Sequence, residues 1–228
     1  MRCQINPDRL RVLERFRSLI LESELGSEIR VALVGGSKKD AELDILADLK
    51  KVLKVTTFGI ENSEIFLDLN IIKGNDLEFD LVLCSHVLEH VYDLKNSMHN
   101  LVSLVAPKGY LWINCPTSNR KHGSPEYFSS GYSGNMLSKL FDMHQIVSLE
   151  VQDLGSERNY KFVHLYQRWP NSDDLTPNWG SLLHQILRTR ISRIPHLLFK
   201  AVLVTSWSED IRNNSLFSTE TYGLGRKL

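Results

Sequence analysis

The sequence contains few of the features that mark secreted or nucleic-acid-binding proteins. Its 228 residues include only three cysteines, Cys3, Cys84 and Cys115, which are odd in number and scattered along the chain. This pattern does not suit a disulfide framework, so we interpret all three as reduced thiols of a cytoplasmic protein. Basic and acidic residues balance at 27 each, so the net charge is zero and no overall field attracts nucleic acid.

Long hydrophobic runs, internal repeats and low-complexity segments are also missing. No apolar stretch approaches the ~20 residues that a membrane-spanning helix requires. The first eight residues, MRCQINPD, lack the apolar region of a secretory signal. The composition is that of an ordinary globular protein, with 42% hydrophobic and 24% charged residues, which is enough to bury a core.

Strand and helix patterns alternate in the first half of the chain. Buried strands are predicted at 29–34, 55–60, 65–70, 79–84 and 110–115. Amphipathic helices are predicted at 8–24, 40–52, 94–105 and 135–141, the last with Ser133 as its cap. This alternation is typical of βαβ units and therefore of a parallel sheet covered by helices.

The second half of the chain is predicted to be different. Residues 145–154 and 161–168 alternate in hydrophobicity, which predicts an antiparallel hairpin that turns at Gly155 and Ser156. Residues 182–207 form a basic amphipathic helical pattern interrupted by Pro195. This pattern suits packing on the domain, contact with a second subunit, or binding to an anionic inner-membrane surface. Residues 213–228 are polar and are expected to be a loose tail.

The most informative stretch is FDLVLCSHVLEHVYD, from Phe79 to Asp93. A buried strand ends here at Cys84 and Ser85, and two histidines and a glutamate follow at once. Open α/β sheets bind their ligands at the carboxyl ends of such strands. We therefore expect the functional site at this position.

This stretch resembles the fourth-strand motif of class I S-adenosylmethionine-dependent methyltransferases, "FDlVlcshvLEHv.d". Residues 106–116, APKGYLWINCP, resemble the "LkPGGyl.i..P" of the same family. The resemblance covers 29–168 and is specific only over 79–116. It implies a Rossmann-like methyltransferase fold with a mostly parallel seven-stranded sheet, a C-terminal antiparallel hairpin and helices on both faces. It also implies a domain over 1–170, which starts with an N-terminal helix within 1–28, and a helical extension and tail over 171–228.

The resemblance implies S-adenosylmethionine as the cofactor, and a glycine loop is the first segment expected to bind it. Gly35, Gly36 and Ser37 follow the first strand, where glycine allows a ligand to approach the backbone closely. The family pattern is Gly-x-Gly-x-Gly, and here Ser37 and Lys39 replace its second and third glycines. An ordinary strand-to-helix turn explains the loop equally well. A dinucleotide-binding dehydrogenase is disfavoured, because Gly-x-Gly-x-x-Gly is absent.

Three further segments are expected to line the cofactor. Glu61 and Asn62, in a GIENS segment that resembles "GvD.S", would bind the ribose hydroxyls, although a solvated acidic residue is the alternative. Adenine contacts would come from the end of the third strand, and other cofactor contacts from the end of the fourth. These residues are Asp68, Leu69 and Asn70, and Ser85, His86 and Val87 respectively.

The acceptor chemistry points to a few titratable side chains. A hydroxyl acceptor profits from a general base, for which His86 is one candidate and His122 and Tyr127 are others. His86, Glu89 and His90 also resemble the metal-binding Glu-x-x-Glu-His of ubiquinone-biosynthesis O-methyltransferases. Structural hydrogen bonding explains Glu89 and His90 better, so we expect no metal.

The loop at 119–128 suggests the class of acceptor. Its HGSPEY segment resembles methyltransferases of bacterial surface-polysaccharide clusters, and its mixture of basic, aromatic and polar groups suits a polar ligand. The leading hypothesis is therefore O-methylation of a sugar or glycan. The alternatives are a non-catalytic methyltransferase-like partner protein and a small-molecule N-methyltransferase.

Overall fold

The structure is a computed structural model that describes residues 7–74, 76–119, 125–155, 160 and 218–228. Its strands are β1 (Glu28–Val34), β2 (Val52–Gly59), β3 (Ile65–Phe66), β4 (Phe79–Ser85), β5 (Val105–Pro116), β6 (Ile146–Gly155) and β7 (Ser218–Lys227). Its helices are α1 (Pro7–Glu22), α2 (Ala41–Asp48), α3 (Leu94–Leu104) and α4 (Gly134–Met143), with a 3₁₀ turn at Leu88–His90. No helix of the described ranges is both long and apolar enough to span a membrane.

The seven strands form one sheet in the order β3-β2-β1-β4-β5-β7-β6. Strands β1 to β5 are parallel, and β7 is antiparallel to both of its neighbours. This topology confirms the predicted mostly parallel, Rossmann-like methyltransferase sheet with one antiparallel hairpin. The strand order reverses between β1 and β4, and open α/β sheets bind ligands in the crevice at that point.

Helices cover both faces of the sheet, as predicted. On one face, Val12, Phe16 and Ile20 of α1 belong to a buried cluster with residues of α2 and the central strands. Phe16 lies 4.8 Å, between ring centroids, from Trp112 of β5. The second cluster lies on the opposite face and includes apolar residues of α3 and α4. Each fully buried side chain of these sizes contributes about 1.5–3 kcal/mol relative to an exposed one.

The prediction of a loose tail over 213–228 is corrected by the structure. In the described residues β6 pairs with Ser218–Lys227, which the sequence analysis assigned to a loose tail. The domain therefore does not end at residue 170, because its sheet includes a strand from the assigned extension. The hairpin strand predicted at 161–168 and the helical pattern at 182–207 lie outside the described residues.

Strand β7 was missed because the buried side chains of its first four residues are polar. Residues 218–221 read Ser-Thr-Glu-Thr, and all four are buried. Their partners are distant in the sequence: Thr219 Oγ1 donates to Asp8 at 2.6 Å, and Thr221 hydrogen bonds to Asp153. Hydrogen bonds of this kind offset the cost of burying polar groups. Because the partners are distant in the sequence, a local sequence pattern does not reveal these bonds.

Two other elements also differ from their predicted forms. Strand β5 begins at Val105 instead of the predicted residue 110, and its pairing shifts from Phe79 opposite Val105 to Leu81 opposite Tyr110. The predicted third strand at 65–70 contains only two strand residues, because Asp68 and Asn70 form a side-chain-stabilised turn instead. Ser133 caps α4 as predicted, accepting a hydrogen bond from Met136 N.

The position of β7 predicts the effect of a single methyl group. A Cβ added at Gly225 would overlap Ile146 Cγ2 and lie 3.2 Å from Phe141 Cε2, whereas one at Gly74 would meet nothing within 4 Å. We expect Gly225→Ala to lower the free energy of unfolding by about 1–3 kcal/mol, as overpacking does. Gly74→Ala is the matched control. Equal urea midpoints for the two variants would contradict the placement of β7.

Candidate active site

The strand register brings four strand ends together at one edge of the sheet. Val34 of β1 lies opposite Phe58 of β2 and Cys84 of β4, and Cys84 lies opposite Ile113 of β5. The next residues along these four strands are Gly35, Gly59, Ser85 and Asn114. The predicted cofactor segments of β1, β2 and β4 are therefore neighbours, as a shared site requires.

Gly35 packs closely against the segment that follows β4. It has a φ of 70°, and a Cβ added there would lie 2.5 Å from Val87 Cγ2. Only glycine adopts this conformation at so little cost, and only glycine leaves Val87 its place. The structure therefore brings together Gly35 of the first loop and Val87 of the fourth-strand motif.

The remainder of the glycine loop folds onto its own carboxylate. Asp40 Oδ1 accepts hydrogen bonds from Ser37 N at 3.1 Å and Ser37 Oγ at 3.3 Å. A Cβ added at Gly36 would overlap Asp40 Oδ2. Burial raises the pKa of Asp40, and the hydrogen bonds from Ser37 oppose this effect. Ser37, which replaces a glycine of the family's pattern, thus uses its amide and its hydroxyl to bind Asp40.

The turn after β2 presents an unengaged carboxylate. Ser63 Oγ donates to Gly59 O at 2.9 Å and lies 3.1 Å from Ile65 O, which fixes the turn. Glu61 is exposed, and it forms no hydrogen bond or ion pair with another described residue. Its neighbour Glu64, in contrast, pairs with Lys38 Nζ at 2.6 Å. Asn62, with a φ of 53°, turns the chain between them.

Two of the three predicted adenine contacts are used to hold α3. Asn70 Oδ1 accepts from Tyr92 N at 2.8 Å and Asp93 N at 3.1 Å. Leu69 is buried, and its carbonyl accepts from Asn100 Nδ2 at 3.2 Å. Asp68 Oδ1 accepts from the backbone and side chain of Asn70. These contacts give Leu69 and Asn70 a structural role, and Asp68 is the half-buried residue that remains for a ligand.

A buried polar network that sequence reasoning missed lies beneath Ser85. Ser85 Oγ donates to Glu42 Oε1 at 2.5 Å, and Arg9 Nη2 lies 2.7 Å from the same oxygen. Arg9 also donates to Asn114 Oδ1. Burial alone would raise the pKa of Glu42, but the charge of Arg9 and the hydrogen bond from Ser85 lower it. The available signal was spacing, because Glu42 lies one turn before the buried Leu46.

His86 lies between two carboxylates at the end of β4. Its Nε2 is 3.3 Å from Glu220 Oε2, and its Nδ1 is 3.7 Å from Glu89 Oε1. Burial favours the neutral imidazole, but Glu220 and Glu89 outweigh it and raise the pKa of His86 to about 10. At neutral pH this imidazole already carries its proton. The predicted general-base role therefore requires that something first remove that proton.

In the structure, the three residues of the metal-binding alternative are not arranged around one point. His86 has a φ of 55°, and the following residues form a 3₁₀ turn instead of the α-helix that would align the three side chains. His90 Nδ1 lies 2.5 Å from the carbonyl of Glu126. Within the described ranges no group of three or more His, Cys, Asp or Glu side chains is arranged to bind a metal.

The loop after β5 packs on this 3₁₀ turn. The amides of Phe128 and Ser129 donate to Glu89 O at 2.9 and 3.2 Å. Tyr127 donates its hydroxyl to Asn119 O at 2.9 Å, and burial raises its pKa, so it is a poor general base. His122 lies outside the described residues.

The two carboxylates around His86 predict how stability depends on pH. The folded protein holds the His86 proton up to a pKa of about 10, whereas an unfolded histidine releases it near 6.5. The stabilisation is therefore complete below pH 6.5 and is lost as the pH rises towards 10. We expect His86→Gln to flatten this part of the pH–stability curve in urea unfolding.

An NMR titration of the histidine ring protons checks the same assignment. The resonance that disappears in His86→Gln should remain that of an imidazolium at pH 8. Glu220→Gln should lower its pKa, while Glu126→Gln, an exposed control, should not. A His86 resonance that titrates near 6.5 in the wild type would contradict the assignment.

Comparison with known proteins agrees with this fold. A family model described as a methyltransferase domain matches residues 26–168. No curated protein sequence matches the chain significantly. Similar solved structures include the N-methyltransferase NodS from Bradyrhizobium japonicum with S-adenosyl-L-homocysteine, at 12% identity and a TM-score of 0.51, covering 98% of this chain and 89% of that one.

Two further structures show the range of chemistry on this fold. An O-methyltransferase of a trans-AT polyketide synthase of Brevibacillus brevis is 15% identical, with a TM-score of 0.51 and coverage of 96% of this chain and 74% of that one. The 4+2 cyclase SpnF is 13% identical, with a TM-score of 0.54 and coverage of 94% and 80%. At these identities the likeness shows the fold alone. The family match, which spans more than half of the sequence, shows that this chain belongs to the methyltransferase-domain family.

Proposed function

We propose that this protein transfers a methyl group from S-adenosylmethionine to a hydroxyl group of a sugar or glycan. The observation that carries the methyl-transfer proposal is the contact of Gly35 with Val87 at the point where the strand order reverses. Here the glycine backbone at the end of β1 packs directly against a side chain that follows β4, and a ligand bound in the crevice at the reversal point would lie beside both. Glu61 lies one strand away, after β2.

The residues at this edge fit the chemistry of the cofactor. Glu61 offers a free, exposed carboxylate suited to paired ribose hydroxyls, and Asn62 follows it in the same turn. The positively charged sulfonium suits the buried acidic side chains Glu89 and Glu220 near the end of β4. The loop of Gly35, Gly36 and Ser37 would approach the amino acid part of the cofactor, with Ser85, His86 and Val87 on the opposite side.

Methyl transfer from a sulfonium is a direct displacement, so the protein acts mainly by alignment. When bound, the cofactor supplies an electrophilic methyl group. The chain would hold the reacting groups at the carboxyl ends of β1 and β4, beside the loop residues that pack on the 3₁₀ turn. His86 is the only one of the three predicted catalytic residues that the structure describes beside the end of β4.

Two exposed aromatic side chains support a sugar as the acceptor. Tyr92 and Phe128 are 65% and 52% exposed, and their rings meet edge to face at 5.5 Å between centroids. Phe128 belongs to the loop whose amides donate to Glu89 O, and Tyr92 contacts it. Exposed aromatic faces next to hydrogen-bonding groups suit sugars, which present both C–H faces and hydroxyls. Association with a membrane surface or a second subunit through 182–207 stays a separate prediction.

One observation favours a second candidate, a non-catalytic methyltransferase-like protein. The Ser37 amide and hydroxyl are bound by Asp40, whereas in a cofactor site such a loop would bind the ligand. Opening the loop would expose these donors. Direct measurement of cofactor binding separates the two candidates.

Calorimetric titration with S-adenosylmethionine tests the cofactor site. The wild type should bind with micromolar affinity, and Glu61→Ala should weaken binding by ~1–3 kcal/mol, because the ribose hydroxyls lose a charged partner. Glu64→Ala is the matched control, since Glu64 is a nearby exposed acid already paired with Lys38. Equal losses for the two variants would refute the role of Glu61. No binding up to millimolar cofactor would favour the non-catalytic candidate.

Transfer of a labelled methyl group to a panel of acceptors tests the substrate class. Nucleotide sugars and oligosaccharides should be methylated in preference to small amines. With the best sugar, Phe128→Ala should raise KM several-fold and leave kcat nearly unchanged, because it removes binding shared by the ground and transition states. Phe66→Ala, a similarly exposed phenylalanine on edge strand β3, should change neither. Preferential methylation of amines would identify an N-methyltransferase instead.

A further inference from the structure

Glu89 carries a buried charge without the hydrogen bonds that such a charge normally has. Its side chain is 0% exposed, and neither carboxylate oxygen has a hydrogen-bond partner among the described residues. Desolvating a carboxylate is costly unless donors replace the lost water. The closest cation is His86, whose Nδ1 lies 3.7 Å from Oε1. The positive charge of His86 therefore stabilises Glu89 in place of hydrogen bonds.

His86 also lies beside a second carboxylate, that of Glu220. Glu220 Oε2 lies 3.3 Å from its Nε2 and also accepts a hydrogen bond from Asn114 Nδ2 at 3.1 Å. The same network contains Arg9 from α1 and Glu42 from α2, which bond to each other. Among these five described residues three carboxylates face two cations, and His86 is the one of the two that can lose its proton at accessible pH.

His86 is also at the position where the proposed function puts a second positive charge. It directly follows β4, next to Val87, which contacts Gly35 across the reversal point of the sheet. The cofactor's sulfonium would bind in that crevice. A like charge within ~4–6 Å disfavours the protonated form of a histidine. Glu89 and Glu220 carry two negative charges against the one positive charge of His86, so the sulfonium can take the place of the His86 proton without changing the net charge of the cluster.

We propose that sulfonium binding expels the proton of His86 and that the resulting neutral imidazole accepts the acceptor's proton during methyl transfer. This inference rests on the proposed function. The acceptor oxygen bonds to the methyl carbon, the carbon–sulfur bond breaks with its electron pair remaining on sulfur, and the acceptor's proton passes to His86. The cluster then regains its own cation as the sulfonium becomes a neutral thioether.

The proposed exchange of the His86 proton for the sulfonium explains how His86 can be protonated in the ligand-free protein and still act as a base. In the ligand-free protein the two carboxylates raise the pKa of His86 to about 10, so it cannot act as a base near neutral pH. When a cation shares the site, the same carboxylates have a second partner and release the proton. The base is thus generated only when the methyl donor is bound. Cofactor affinity should consequently rise with pH, whereas affinity for the demethylated product should not.

Proton release on binding is the direct test. Titration calorimetry of the full chain at pH 8, in buffers of different protonation enthalpy, counts the protons released with S-adenosylmethionine and with S-adenosylhomocysteine. The two ligands share their amino and carboxylate groups, so these contributions cancel in the difference. We expect about one more proton to be released with the sulfonium ligand, and a tenfold tighter binding per pH unit where His86 remains charged.

Variants assign the proton to a residue. His86→Gln should abolish the difference between the ligands, whereas His99→Gln, an exposed histidine on α3, should preserve it. Glu220→Gln should reduce the difference, because His86 then loses its proton before the ligand binds. This variant decides the question if His86→Gln fails to fold.

Two results would overturn the inference while the proposed function stands. One is binding of both ligands with equal proton release in the wild type. The other is a difference that survives in His86→Gln. If neither ligand binds, the proposed function is overturned, and this inference with it.

Discussion

The pairing of strand β7 with both β5 and β6 is the constraint on which the sheet and the site depend. Among the described strands, β6 has no other partner, so β7 alone joins it to the parallel part of the sheet. The same strand places Glu220 opposite Pro116, at the carboxyl edge, where it reaches His86. Backbone pairing and site chemistry are thus supplied by one ten-residue segment near the end of the sequence.

The N-terminal helix meets β7 at this edge and adds the opposite charge. Asp8 accepts a hydrogen bond from Thr219, and Arg9 joins Asn114 to Glu42. Removing one partner from such a buried network leaves an uncompensated charge, which costs about 3–5 kcal/mol. Residues near both ends of the chain must therefore fold before the polar site is complete.

The sequence predicted what local patterns encode. Buried strands and amphipathic helices have periods that can be counted, and the Phe79–Asp93 motif located the correct edge of the sheet. Strand β7 was missed because Thr219 and Thr221 are buried against partners that lie more than 60 positions away. The raised pKa of His86 was missed for the same reason, since Glu220 comes from that strand. Only Glu42, on a buried helical stripe, carried a local signal.

The fold alone does not decide the reaction, because a 4+2 cyclase has a similar one. A cyclisation of that kind transfers no charged group, whereas methyl transfer from a sulfonium consumes a positive charge and releases a proton. A site for methyl transfer must therefore accommodate the sulfonium cation before transfer and a protonated base after it. In the proposed mechanism Glu89 and Glu220 around His86 form such a site, because its net charge is the same whichever cation is present. The charged groups around His86, more than the glycine loop that bonds to Asp40, therefore relate this structure to methyl transfer.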